Sequence, residues 1–432
     1  LVRQFIQQGR LPASDAVRVE ELINYFSYQY PKATGQHPFA SETELSTAPW
    51  QPEHYLLRIG VQAQDVNVTA MPPANLVFLV DVSGSMDEPN KLPLVISSLQ
   101  MLTQQLRPQD KVSLVVYAGR TEVVLEPTAG NKKADIQAAL GRLQAGGSTA
   151  GASALDLAYK MARKGYVANG INRILLATDG DFNVGSSSDN DMQRLIEEKR
   201  KSGVFLTCLG YGMGNYKDSK LETLANKGNG NYAYIDTMQE ANRFLVKEFK
   251  GSMFAIAKDV KIQIEFNPNL VKAYRLIGYE NRKLRAEDFK DDTIDAGELG
   301  SGHTVTALYE ITPIEVKNKF FIEPNDLKYT QENTKNNFSD ELASIKFRYK
   351  QPDGNHSLEL SEIITNKALA LEKTTPDFKL ATAVAWFGLK LRESKLISNT
   401  NITDILTLAK QAQTNDTEGY KGELVRLIEA VK

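Results

Sequence analysis

Between Leu76 and Phe249, short apolar runs alternate with segments whose apolar residues recur at helical spacing. The run NLVFLV is apolar throughout, as expected of a strand that is buried on both faces. The segment from Leu92 to Leu106 then has helical spacing, and Pro108 follows its end. Because strands that alternate with helices form a mostly parallel sheet with helices on both faces, this pattern predicts a doubly wound α/β domain.

The sequence on either side of this block has a different pattern. From Val260 to about Thr365, five strand-like runs follow one another without helices, which predicts an antiparallel β-sandwich. Three helical segments come after it, and we expect one face of the first, with Phe378 and Leu389, to pack on the sandwich. The strand-like segments SETELS and HYLLRIGVQ near the front have no sheet of their own. We therefore expect them to join the later strands, so that the α/β domain is an insertion in a β-domain.

A chain of 432 residues is too long for one ordinary core and is expected to form about two to three domains. The pattern divides it into four regions. They are an N-terminal segment over 1–74, the α/β domain over 75–255, the β-sandwich over 256–365 and a helical segment over 366–432.

Composition excludes several classes of protein. The formal net charge is -2 with both signs interspersed, which argues against a nucleic-acid groove. No apolar run approaches the roughly 20 residues of a transmembrane helix. Cys208 is the only cysteine, so the chain has neither an internal disulfide nor a cysteine zinc site, and we expect this side chain to be small core packing. The first residue is Leu1, so we expect a processed or omitted segment upstream, which would hide any signal peptide.

Oxygen-bearing side chains follow three of the predicted elements. Asp81 ends the first strand of the α/β domain, and Ser83 and Ser85 come at alternate positions after it. Thr149 precedes a helix in AGGSTAG, and Asp179 ends another strand in LLATDG. Ligands of doubly wound sheets bind outside the carboxyl ends of the strands, so we expect these five residues to converge on one crevice. They are all hard oxygen ligands, which suit Mg²⁺, Ca²⁺ or Mn²⁺ rather than zinc.

Each of these signals also has a purely structural interpretation. Taken alone, Ser-Gly-Ser and Thr-Asp-Gly are common turns, and Thr149 is a good helix N-cap. The stretch DGDFNVG suggests a calcium-binding EF-hand loop, but Val184 holds the position that requires Gly and Asn190 holds the one that requires Glu. We therefore expect Asp181 and Asn183 to lie at the rim of the site.

The motifs DVSGSM, GGST and ATDG resemble the three loops of the metal-ion-dependent adhesion site of von Willebrand factor type A domains. The resemblance covers roughly Asn75 to Phe249, and every ligand position of that pattern is filled. It implies that Ser83, Ser85 and Thr149 contact the metal directly and that the two acids act partly through water. It also implies that a Glu or Asp of a partner protein occupies an open coordination position.

The whole chain resembles a bacterial subgroup in which such a domain lies between an N-terminal segment and a C-terminal domain. The stretches DAVRVEELINYF, KGNGNYAYID and AYRLIGYENR carry this resemblance. Members of the subgroup are often predicted to be exported or lipid-anchored, and this is what the resemblance implies about location. We therefore expect a location in the cell envelope or periplasm, with an upstream lipid anchor as one option and the cytoplasm as the alternative.

Enzymatic interpretations find less support. The chain lacks a Gly-rich phosphate loop that ends in Gly-Lys-Ser/Thr, and VSGSM lacks the glycines of a hydrolase nucleophile turn. A serine nucleophile needs a base, and the four histidines lie outside the α/β domain. We expect a non-enzymatic, metal-dependent binding protein. A metal-dependent phosphoester hydrolase and a scaffold that recruits an ATPase are the alternatives.

Overall fold

A computed structural model describes most of the chain. The described residues are 2–66, 71–147, 152–180, 189–212, 218–248, 251, 255–278, 299–316, 340–351 and 356–431. The chain forms two compact units, one of Leu1–Asp65 with Ala255–Lys432 and one of Val66–Phe254. The second unit is therefore inserted in the sequence of the first.

Elements are numbered in chain order. The strands are β1 (Phe39–Ala48), β2 (Gln51–Ala63), β3 (Ala74–Asp81), β4 (Lys111–Tyr117), β5 (Thr121–Ala129), β6 (Ile171–Thr178), β7 (Val204–Tyr211), β8 (Tyr232–Ile235), β9 (Ala255–Phe266), β10 (Val271–Leu276), β11 (Leu299–Gly300), β12 (Thr304–Pro313), β13 (Glu341–Lys350) and β14 (Ser357–Thr365). The helices are α1 (Val2–Gln7), α2 (Val19–Asn24), α3 (Leu92–Gln104), α4 (Lys133–Gly141), α5 (Ala152–Lys164), α6 (Asp189–Arg200), α7 (Asp218–Lys227), α8 (Met238–Asn242), α9 (Pro376–Leu391), α10 (Ile402–Gln411) and α11 (Tyr420–Ala430). A π-helical turn, Arg243–Glu248, continues α8.

The inserted unit has a six-stranded sheet in the order β5-β4-β3-β6-β7-β8. All pairs are parallel except β4 with β5. All eight residues of β3 are buried, because Phe78 points into one apolar core with α3 and Val77 points into another with α5. Cys208 on β7 is also fully buried, as expected. The doubly wound α/β fold predicted from the alternating pattern is confirmed.

Three strands of this sheet end at the same level and position the candidate site. Asp81 at the end of β3 pairs with Tyr117 at the end of β4. On the other side, β3 pairs in register with β6, whose last residue is Thr178. The carboxyl edge of the sheet therefore brings three polar side chains together at its centre.

The other unit has two four-stranded antiparallel sheets, in the orders β1-β2-β12-β10 and β11-β9-β13-β14. Their facing sides meet through aromatic rings, with centroids 5.6 Å apart for Phe39 and Phe347 and 5.8 Å apart for Phe266 and Tyr309. This is the predicted β-sandwich. The segment HYLLRIGVQ lies in β2 and hydrogen-bonds to β12 over eight residue pairs, so the front of the chain joins the later strands as expected.

Helices cover the remaining face of the first sheet. Twelve of the 16 residues of α9 are buried, and α2 and α10 pack against it. As expected, one face of α9 packs on the first sheet, because Phe378 and Leu389 share a core with Leu56 of β2 and Leu308 of β12. The N-terminal α2 covers a further side of α9, where Val19 and Leu22 of α2 lie directly over Gly388.

The segment DAVRVEELINYFSY near the front contains only a short helix. The backbone is extended at Val17 and Arg18, and α2 spans only Val19–Asn24. The tyrosines after it leave the helix because their stacked rings, Tyr28 and Tyr30, are buried in the helix-covered core. No helix within the described residues is long and apolar enough to cross a membrane.

Candidate metal site

Asp81 is held rigidly at the carboxyl end of β3. Its side chain is fully buried, and Oδ1 accepts a hydrogen bond of 2.9 Å from the backbone N–H of Ser83. Oδ2 accepts one of 3.2 Å from the hydroxyl of Tyr117 and one of 3.0 Å from the hydroxyl of Thr178. Three donors from three segments therefore set the direction of this carboxylate before any ligand arrives.

The two serines of the first loop present their oxygens together. Ser83 precedes a short 3-10 turn, Gly84–Met86, which contains Ser85, and the Oγ atoms of the two serines lie 3.1 Å apart. Ser83 is buried, whereas Ser85 is exposed. The alternate spacing in the sequence thus places one oxygen beside Asp81 and the next at the surface.

The loop that leads to Thr149 is tied to this first loop. Gly84 N–H donates to the carbonyl of Gly147 at 3.1 Å, and Gly146 N–H donates to the carbonyl of Val82 at 2.8 Å. Thr149 itself lies outside the described residues, as do Asp181 and Asn183. Its place among the ligands stays a prediction.

Asp179 follows β6, and its side chain is 6% exposed. Burial raises the pKa of Asp81, and the negative charge of Asp179 raises it further, while hydrogen bonds from Ser83 and Thr178 act in the opposite direction. Two buried carboxylates that repel each other are stabilised in the ionised form by a cation between them.

Lys91 is a member of this cluster that the sequence pattern did not reveal. Its Nζ lies 3.3 Å from Oδ2 of Asp179 and donates a 2.8 Å hydrogen bond to the carbonyl of Ser85. The side chain of Lys91 is only 12% exposed. Tyr117 and Thr178 were also missed. A hydroxyl at the end of each strand beside β3 is the signal that could have identified them.

The donor set suits a hard divalent cation. It contains carboxylate and hydroxyl oxygens, and no group of three or more His, Cys, Asp or Glu that could hold a metal occurs among the described residues. An ammonium group already lies against Asp179, so this pocket of oxygens accommodates positive charge. The residues therefore fit Mg²⁺, Ca²⁺ or Mn²⁺.

Comparison with family models divides the chain into three stretches. Residues 75–248 match the von Willebrand factor type A domain, and residues 251–432 match the model described as "Uncharacterized protein YfbK, C-terminal". Residues 1–58 match a further model described as von Willebrand factor.

Individual relatives extend this result. The chain is 43% identical over 437 residues to the protein YfbK of Escherichia coli (strain K12), which covers 99% of this chain and 75% of that protein. It is 32% identical over 186 residues to the protein sll0103 of Synechocystis, with 43% of each chain covered. Among solved structures, it is similar to a von Willebrand factor type A protein from Catenulispora acidiphila, with a TM-score of 0.45, 17% identity and 91% of each chain covered.

Proposed function

This chain belongs to the family of YfbK and contains a von Willebrand factor type A domain, and from that premise we propose that it is a non-enzymatic protein that binds an acidic partner through a divalent cation. Proteins with this domain are generally adhesion or scaffold proteins, and the domain commonly binds a divalent metal and mediates contacts between proteins. The relatives YfbK and sll0103 are bacterial proteins.

The observation that carries the proposal is the arrangement around Asp81. Three hydrogen bonds aim a buried carboxylate at a loop with two serine hydroxyls, and burial raises the pKa of this carboxylate, with a further increase from the charge of Asp179. A purely structural aspartate would gain stability from the hydrogen bonds but would lose it through the second acid. A site of this kind is favourable when a cation neutralises both charges.

We assign the ligand roles to Asp81, Ser83, Ser85, Thr149 and Asp179. The serines and Thr149 supply neutral oxygens, and the aspartates supply charge. Tyr117 and Thr178 fix the direction of Asp81. The bound ion, Mg²⁺ or Ca²⁺ with Mn²⁺ as a further option, supplies an electrophilic centre for a Glu or Asp side chain of the partner protein.

Two alternatives remain, a metal-dependent phosphoester hydrolase and a scaffold that recruits an ATPase. Type A domains are generally non-enzymatic, which favours binding over catalysis. Turnover of model phosphoesters that disappears in EDTA would support the hydrolase. Co-purification with an ATPase that persists in EDTA would support the scaffold.

We also propose a location in the cell envelope or periplasm, with a lipid anchor upstream as one option and the cytoplasm as the alternative. For domain work we propose boundaries at 74/75, 255/256 and 365/366. These boundaries keep the candidate site within one segment, because its described ligand residues lie between Asp81 and Asp179.

The test is affinity capture from an extract of the source organism, in Mg²⁺ and in EDTA, with the wild-type protein and Asp81→Asn as bait. We expect at least one protein to be captured by the wild type in Mg²⁺ and to be lost both in EDTA and with Asp81→Asn. The same set of captured proteins under all three conditions would contradict the proposal.

A further inference from the structure

We propose that Lys91 is a built-in cation of the metal site, which weakens metal binding and strengthens the attraction of the loaded site for an acidic partner. This inference rests on the proposed function, because it concerns the same site. Lys91 is not one of the proposed metal ligands, but it would influence both the affinity for the metal and the affinity for the partner.

The ammonium group is fixed in the site by several contacts. Nζ of Lys91 lies 3.3 Å from Asp179 Oδ2, 2.8 Å from the carbonyl oxygen of Ser85 and 3.4 Å from Glu88 Oε1. Two of these contacts are with residues of the candidate ligand set. A freely moving surface lysine would not hold both the first loop and the end of β6.

A glycine leaves room for the aliphatic part of the Lys91 side chain. It packs against Gly212 at the end of β7, where an added Cβ would lie only 2.6 Å from Cε of Lys91. Gly212 also has a φ of +82°, which glycine adopts without strain. Glycine at this position therefore leaves room for the lysine stem, which directs the charged group toward the site.

The charges determine how Lys91 acts on a metal. With Asp81 and Asp179 ionised, the ammonium leaves the three groups with one net negative charge, whereas the two acids alone would carry two. A divalent ion binds the less negative cluster more weakly. The Coulomb energy between charges a few ångströms apart in a protein is so large that even a fraction of it changes an affinity by about tenfold.

The charge of Lys91 has the opposite effect on the binding of an acidic partner. Once a divalent ion is bound, the three groups and the ion together carry one net positive charge, and an incoming carboxylate neutralises it. Glu88 also contacts Lys91, but its side chain is 61% exposed, so solvent screens its charge more than that of Asp179. Without Lys91 the loaded cluster would be neutral and would attract an acid less strongly.

The experiment compares Lys91→Met, which removes the charge and keeps most of the stem, with Lys91→Arg, which keeps the charge. Lys164→Met serves as a matched control, because Lys164 is an exposed lysine of the same unit that pairs with Glu126. Calorimetry measures Mn²⁺ affinity, and a titration of the Mn²⁺-loaded protein with acetate measures carboxylate affinity. Melting temperatures show whether each variant is folded.

We expect Lys91→Met to bind Mn²⁺ about tenfold more tightly and acetate about threefold more weakly, with both controls within about threefold of the wild type. Opposite changes in the two affinities cannot come from a damaged site, which would weaken both. Unchanged or weaker Mn²⁺ binding by folded Lys91→Met would overturn the inference.

Three further outcomes are informative. If Lys91→Met does not fold, Lys91→Gln replaces it, and unfolding of both neutral variants beside a folded Lys91→Arg would show that the lysine is a structural clamp and overturn the inference. If the wild type binds Mn²⁺ but Lys91→Met binds it equally, only this inference fails. If neither protein binds Mn²⁺, the proposed function fails as well.

Discussion

The hydroxyl of Tyr117 lies 3.2 Å from Oδ2 of Asp81, and both side chains are completely buried. The candidate ligand is thus held by the sheet itself, because Tyr117 is the last residue of the neighbouring strand. An acid oriented in this way does not need to reorganise when a cation binds. The site should therefore respond to changes in residues that never contact the ion.

Tyr117→Phe removes this hydrogen bond and keeps the ring. We expect metal affinity to fall about tenfold, because groups that orient a ligand typically contribute 10- to 100-fold to metal binding. Calorimetric titration with Mg²⁺ measures the effect. Tyr159→Phe is the matched control, since Tyr159 is also buried in this unit and its hydroxyl has no hydrogen-bond partner among the described residues. Equal losses in both variants would point to general destabilisation.

Asp81→Asn should abolish metal binding and leave the fold intact. The amide keeps an oxygen for Ser83 N–H, and the hydroxyls of Tyr117 and Thr178 can accept from its nitrogen, so no buried group loses its partner. We expect Mg²⁺ affinity to fall by about a hundredfold or more, with a melting temperature in EDTA close to that of the wild type.

Asp110→Asn should have the opposite effect to Asp81→Asn, with stability lowered and metal binding kept. Asp110 is buried and accepts hydrogen bonds from Ala74 N–H and Arg107, at the start of β3 rather than at its end. We expect this variant to melt at a lower temperature and to bind Mg²⁺ normally while folded. Unfolding of Asp81→Asn, or loss of metal binding in folded Asp110→Asn, would contradict the assignment of roles.

Glu310 should make the stability of the sandwich unit depend on pH in the acid range. Burial raises its pKa, but hydrogen bonds from His54 and Trp50 and the charge of Arg275 outweigh this, and the result is a pKa below the ordinary 4.5. The folded state therefore holds this proton less tightly than the unfolded chain. The resulting stabilisation is complete above the ordinary pKa and is lost as the pH falls through the lowered value.

Glu310→Gln tests this pH dependence. We expect the variant to lose about 3 kcal/mol of unfolding free energy at neutral pH, because the buried ion pair between Arg275 and Glu310 is broken. Between about pH 6 and about pH 3 the variant should lose less stability than the wild type. Parallel loss of stability in both proteins, followed by circular dichroism, would show that Glu310 is not responsible.

Removal of residues 1–74 should expose a sheet edge. β2 lies between β1 and β12, so a fragment over 75–432 would lack both front strands and leave β12 unpaired on that side. Leu56 would also be missing from the core beneath the helices. We expect this fragment to aggregate. A soluble fragment that unfolds cooperatively would show that the front strands are dispensable.

Local patterns in the sequence predicted most of the fold. The apolar run before Asp81 identified a strand buried on both faces, and the lack of a sheet of their own indicated that the front strands join β12. The burial of most of α9 could not be predicted, because it depends on α2, which packs against it from the far end of the chain.

The candidate site was also predictable only in part, because some of its contacts join residues that are far apart in the sequence. Asp81, Ser83 and Ser85 are close in sequence, and their spacing alone suggests shared chemistry. Tyr117 is 36 residues away from Asp81, and Thr178 is 97 residues away. Lys91 looks like an ordinary residue before a helix until the fold places Asp179 beside it. Contacts of this kind depend on strand order, which sequence spacing does not reveal.

Water-proton relaxation of the Mn²⁺-loaded protein tests the central claim most directly, since it reports both the bound ion and the water that a carboxylate displaces from it. We predict that the wild type enhances the relaxation caused by Mn²⁺, that acetate reverses this enhancement, and that Asp81→Asn shows neither effect. Enhancement that acetate does not change would mean that the ion has no position for a partner's acid. No enhancement, or equal enhancement in Asp81→Asn, would contradict the site itself.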